Sequence, residues 1–222
     1  MRYLLLILTF TSVLHLTSFS QRKKSGEIGL SVGGSFYLGD INKIPFKSPR
    51  MGGGVFYRHT FDTRFAVRGS FNYLNITGND ANSNNEFQQA RNFNFKQIIL
   101  ELNAAGEFNF MPFLPANPKY DYTPYVHLGF GTNYLPKGAK QNILTIPFGV
   151  GVKYNMNNNF TLSAEGCLYK TFTDYLDNYY QEISPNNFRK QQFYEGNKDW
   201  YSFFSIKMAY KIKYKLNCPA FD

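Results

Sequence analysis

The sequence predicts an all-β chain that folds as an eight-stranded antiparallel transmembrane β-barrel with a side-chain-filled interior. Three observations predict it. Strict alternation of apolar and polar residues recurs in eight runs. Aromatic residues make up 18% of the chain, with 23 Phe and 17 Tyr but one Trp, while the mean hydropathy stays below zero. Alternating strands disperse apolar residues among polar ones in this way, and buried helices do not. The third observation is an export leader at the start of the chain.

Met1 and Arg2 form a short basic region, and Tyr3 to Leu16 is an apolar stretch. Ser18 and Ser20 stand at the −3 and −1 positions of a small-residue cleavage site, with Gln21 as the new N-terminus. The apolar stretch is interrupted by Thr9, Thr11, Ser12 and His15, and is short for about 30 Å of hydrocarbon. Residues 1–20 are therefore expected to be a cleaved signal peptide and residues 21–222 the barrel domain. Export of this kind leads to the outer membrane, where small barrels reside.

The runs follow in order. Ile28, Leu30, Val32, Gly34, Phe36 and Leu38 alternate with Glu27, Gly29, Ser31, Gly33, Ser35 and Tyr37. The second run is glycine-rich: Met51, Gly53, Val55 and Tyr57 against Gly52, Gly54, Phe56 and Arg58. In the third, Phe65, Val67, Gly69, Phe71 and Tyr73 oppose Ala66, Arg68, Ser70 and Asn72. The fourth is the longest and sets Ile98 to Phe110 against Gln97 to Asn109. Val126, Leu128 and Phe130 make the fifth, Ile146 to Tyr154 the sixth, Phe160 to Leu168 the seventh and Phe204 to Ile212 the eighth. Most are about 10 to 14 residues long, enough for a tilted bilayer crossing.

The polar face decides the class. It carries Glu27, Arg58, Arg68, Glu101, Glu107, Lys153, Glu165, Lys207, Lys211 and Lys213, four acids and six bases. In a lipocalin-like barrel such a face would point outward to water; in a membrane barrel it points inward. An eight-stranded interior is just filled by side chains, so these charges can pair with each other there. Turned the other way, the apolar belt would stand in water as an aggregation hazard. The same filling excludes a solute-wide pore.

Connector length sets the topology. His59–Arg64 and Asn155–Asn159 are short, as periplasmic turns are; Gly39–Pro49, Ile76–Asn92 and Phe172–Asp199 are long, as outer loops are. Met111–Asp121 is long for a turn and holds Pro112, Pro115 and Pro118; Leu135–Asn142 is short for an outer loop. The proline-rich connector offers a stiff protrusion on which a partner can dock.

Chemistry-bearing residues are sparse. The net charge is +9, but no basic cluster exceeds Arg22-Lys23-Lys24, which argues against nucleic acid. His59 sits at a turn and His127 in the barrel wall, facing inward, and no His/Cys/Asp group has metal-ligand spacing. Ser163, Glu165 and His127 are nominal parts of a lipid-modifying centre, but they belong to an interior whose charges already have partners. No catalytic, cofactor or metal site is expected. Cys167 falls mid-strand and Cys218 in the tail, which leaves a bridge and free thiols both open. The stretch Thr171 to Asp177 is aromatic and acidic, and Trp200 is placed as an interfacial aromatic.

Tyr169-Lys-Thr-Phe-Thr-Asp-Tyr-Leu-Asp177, then Gly196-Asn-Lys-Asp-Trp-Tyr201 and a last strand ending near Cys218-Pro219, resemble the PorG family. The opening Glu27 to Asp40 and the pair Tyr57-Arg58 also fit it. That family comprises outer-membrane barrels of the Bacteroidetes type IX secretion system. The resemblance implies a protein that tethers a periplasmic ring of PorK and PorN type to the outer membrane without conducting cargo itself. The partner surface is then expected on the periplasmic rim, at Phe61, Asp62, Pro112, Phe113, Leu114 and Asn157, and in the tail at Cys218.

Overall fold

Period-two alternation does become strands. The computed structural model describes residues 25–38, 49–79, 94–113, 121–136, 141–172 and 200–212. They form β1 (Ser25–Leu38), β2 (Arg50–Thr60), β3 (Phe65–Asn79), β4 (Asn94–Asn109), β5 (Tyr122–Tyr134), β6 (Asn142–Asn155), β7 (Phe160–Thr171) and β8 (Trp200–Ile212). Each strand pairs antiparallel with its neighbour in sequence. β1 closes on β8 from Gly26↔Ile212 to Leu38↔Trp200, so the sheet has no free edge. The leader, Leu114, Lys213 and Cys218 lie outside the described residues.

One end of the barrel holds the turns 61–64 and 156–159 and the 110–121 connector; we call it the turn end. The other, the loop end, is where the connectors 39–49, 80–93, 135–141 and 172–199 join the strands. The two faces separate as the alternation predicts. Leu30, Phe130 and Ile206 point outward and are 66%, 77% and 60% exposed. Glu27, Arg58, Arg68, Glu101, Glu107, Lys153, Glu165, Lys207 and Lys211 point inward and are buried.

The outward face has the dimensions of a bilayer. On β4 and the residue after it, Ile98 to Phe110 covers about 40 Å of strand. At a tilt of about 40° that is roughly 30 Å along the barrel axis, the thickness of a hydrocarbon core. Exposed aromatics ring the turn end: Tyr57, Phe65, Phe110, Tyr122, Tyr154 and Tyr210. Tyr73, Tyr134 and Phe172 are exposed towards the loop end. Aliphatic side chains, with Phe71, Phe130 and Phe204, fill the space between, an arrangement that lipid solvates and water does not.

One expectation about a strand end needs correction. The alternation places Ile76 in a connector, but it lies within β3, which runs to Asn79; Leu135 stands in the connector after β5, as expected, and both are buried. With Tyr37, Leu74, Ile99, Ile143, Cys167, Tyr169, Tyr201 and Phe203 they form an apolar cluster in the loop half of the lumen. The interior is therefore not polar throughout. Inward Leu and Ile break the polar-in alternation, and this is why the strand ends carrying them read as loop.

Candidate functional site

The lumen is built around two carboxylates. Glu107 on β4 receives Arg58 Nε at 2.8 Å, Arg68 Nη1 at 2.9 Å and Lys153 Nζ at 2.6 Å. Glu165 on β7 receives Arg68 Nη1 at 2.5 Å and Lys207 Nζ at 2.6 Å, and Tyr125 Oη donates to it at 2.5 Å. Arg58 also reaches Glu27 at 2.9 Å. Arg68 links the two centres, so with Tyr125 all eight strands are joined by one network of charge-assisted contacts. Four bases face three acids in it. Glu101 stands apart: it hydrogen-bonds Asn103 and has no ion pair among the described residues. Lys211 lies beside Glu27 in register, and its ammonium donates to the Asn157 carbonyl at 2.6 Å, clamping a turn.

Glycines on β6 let side chains cross it. Gly149 stands between His127 and Cys167, and Gly151 between Tyr125 and Glu165. A Cβ at Gly149 would lie 2.8 Å from the His127 ring, and one at Gly151 2.7 Å from the Tyr125 ring. The imidazole and phenol of β5 thus reach the side chains of β7 over bare backbone. His127 Nε2 lies 3.3 Å from Cys167 Sγ, and its Nδ1 lies 3.5 Å from Glu165 Oε2.

This His127–Glu165–Cys167 group is invisible in sequence spacing, because its members come from strands two apart. Its three ligand-type atoms lie within 4.8 Å of one another and the residues are buried. The surroundings oppose a divalent cation, since Arg68 and Lys207 already neutralise Glu165. They also oppose a nucleophile, because Cys167 belongs to the apolar cluster. Ser163, the nominal nucleophile, is buried, and its Oγ has no hydrogen-bond partner among the described residues. The group is a strut between β5 and β7.

Apolar packing closes the lumen above this network. Tyr169 and Tyr201 stack face to face, 4.4 Å apart and 3° from parallel, and Asn133 Nδ2 donates to Tyr201 Oη at 2.7 Å. Ions and apolar rings thus fill successive levels of the lumen.

The turn end is tied together by hydrogen bonds. Phe113 N–H donates to the Thr63 carbonyl at 2.8 Å and Arg64 Nη1 to the Phe110 carbonyl at 3.1 Å, which folds the start of the proline-rich connector onto the first turn. Asn157 Oδ1 accepts from the N–H groups of Asn159 and Phe160, both at 2.8 Å. Of the residues expected on a partner surface, Phe61 and Asn157 are exposed, while Asp62 and Pro112 are half-buried. Phe113 is buried at 1% exposure and offers no contact surface, which corrects that expectation.

Residues 3–220 match the model of a family described as a domain of unknown function, DUF6089. No curated protein matches the chain. Among solved structures the chain is similar to OprG from Pseudomonas aeruginosa, with 12% identity, 87% of this chain and 99% of that one covered, and a TM-score of 0.46. It is also similar to Ail, the attachment invasion locus protein of Yersinia pestis, with 14% identity, 85% and 97% covered, and a TM-score of 0.44. For the N-terminal barrel domain of Pseudomonas aeruginosa OprF, the identity is 11%, the coverage 86% and 98%, and the TM-score 0.45.

Proposed function

We propose that this chain, which belongs to the DUF6089 family, is a non-catalytic outer-membrane barrel of the type IX secretion system. In this reading a signal peptide exports it, the turn end faces the periplasm, and that rim tethers a ring of PorK and PorN type. The observation that carries the reading is the filled lumen: with Glu107, Glu165 and their four bases in one layer and the Tyr169–Tyr201 stack in another, work falls to the rims. The resemblance of Tyr169 to Asp177 and Gly196 to Tyr201 to the PorG family favours secretion as that work. The cross-tied turns support a rigid attachment surface at Phe61, Asp62, Pro112 and Asn157.

Capture of the tagged chain from its native membranes in mild detergent tests this. Ring lipoprotein and its partner are expected to come along. A barrel recovered alone, together with intact export of type IX cargo in the deletion strain, contradicts it. A second reading is a surface barrel that works through its long outer connectors, favoured by the length of residues 172–199. Deleting residues 177–197 should spare ring capture under the first reading and abolish surface binding under the second.

A further inference from the structure

Among the described residues, Glu101 is the lumen carboxylate that the ion network leaves out. It is fully buried and no base pairs with it there. Its neighbours are amides: Asn72 on β3 and Asn133 on β5 in register, and Asn103 two residues along β4. Asn103 Nδ2 donates to Glu101 Oε1, and Asn72 and Tyr169 reach the same carboxyl group. Its Oε2 makes no hydrogen bond of ordinary geometry among the described residues. The amide oxygens of Asn72 and Asn103 are taken, accepting from Ser31 Oγ at 3.3 Å and Ser70 Oγ at 2.6 Å. The Asn133 oxygen is not. Asn133 Nδ2 donates to Tyr201 Oη at 2.7 Å, while its Oδ1 has no donor among the described residues. Two buried acceptors thus lack a hydrogen, on residues that stand side by side on β4 and β5.

Three things could fill that gap. A water molecule would bond both oxygens but leave an ionised carboxylate with no counter-charge, which a buried site makes costly. A metal ion would add positive charge to a lumen whose network already sets four bases against three acids. One carboxylate among neutral amides is also a thin ligand set for it. A proton on Oε2 removes the charge and supplies the missing donor together. The groups that act on Glu101 across the lumen fit this. They are Cys167 and Tyr169 on β7, and Tyr201 and Lys207 on β8. Only Lys207 is cationic, and Glu165 holds its ammonium at 2.6 Å. On β3 and β5, Arg68 and His127 lie lower, at Glu165.

We propose that Glu101 is a neutral carboxylic acid that donates from Oε2 to Asn133 Oδ1, a latch between β4 and β5 that alkali opens. Opening passes the proton from Oε2 to hydroxide and leaves a carboxylate against an amide oxygen. The latch does not depend on what the rims bind. Infrared spectroscopy of the full barrel in lipid tests it. At neutral pH the difference between wild type and Glu101→Gln should hold the carbonyl band of a protonated carboxyl group. Alkali should replace that band with carboxylate bands. Its absence at neutral pH means an ionised Glu101, served by water or a metal ion, and overturns the proposal. Asn133→Leu removes the acceptor and keeps the acid, so the band should persist and move to higher frequency; an unmoved band overturns the latch. Amide hydrogen exchange reads the consequence. Raising the pH should speed exchange in the loop half of β4 and β5 more in wild type than in Glu101→Gln, which cannot titrate. Matching rises in the two proteins would overturn the latch as a pH-sensitive device.

Discussion

Glu107 and Glu101 occupy one strand and one lumen, yet their surroundings differ. Glu107 holds three bases at 2.6 to 2.9 Å; its removal leaves Lys153 without an ion pair among the described residues, while Arg58 keeps Glu27 and Arg68 keeps Glu165. Breaking a buried pair leaves an uncompensated charge and costs about 3 to 5 kcal/mol. Glu107→Gln should therefore lower unfolding stability by roughly that amount, read from guanidinium unfolding in detergent. Glu101→Gln removes no ion pair among the described residues and keeps an amide that can bond Asn103. It should change stability by less than about 1 kcal/mol. Equal losses for the two would contradict the network described. The sequence shows that all these carboxylates face inward. It does not show which hold bases, because partners such as Arg68 and Glu165 are 97 positions apart.

At the level of elements, the glycines of β6 decide whether β5 and β7 can touch. A Cβ at Gly149 would come within 2.1 Å of the Gly166 carbonyl oxygen and 2.8 Å of the His127 ring. Gly149→Val should cost about 1 to 3 kcal/mol through overpacking, measured by the same unfolding curves. Gly69→Ala is the control, since a Cβ there meets nothing within 4 Å. A Gly149→Val barrel as stable as wild type would mean that His127 does not cross β6. Strand number and facing were legible because alternation reports them directly. Strand ends were not. Leu74, Ile76 and Ile99 point inward against the polar rule, since the loop half of the lumen is filled with apolar side chains. Period-two reading treats such a switch as the end of a strand.

For the whole molecule, a charge layer beneath an apolar layer predicts a barrel that carries no current. Added to planar bilayers, it should give no stable conductance steps; steady steps would require that the Tyr169–Tyr201 layer open. On the proposed reading function belongs to the ends, where the sequence was least informative. Composition located neither the burial of Phe113 nor the exposure of Phe61, because connectors fold by particular hydrogen bonds and not by a repeating pattern. Phe61 at the turn end and Phe172 at the loop end are similarly exposed, at 46% and 49%. They are therefore matched reporters for which end meets a partner. Photo-crosslinking in living cells from a benzophenone amino acid placed at each position tests the account most directly. Crosslinks from position 61 to a periplasmic ring protein, with none to it from position 172, are the predicted result. Ring crosslinks from position 172, or from neither position, would contradict it.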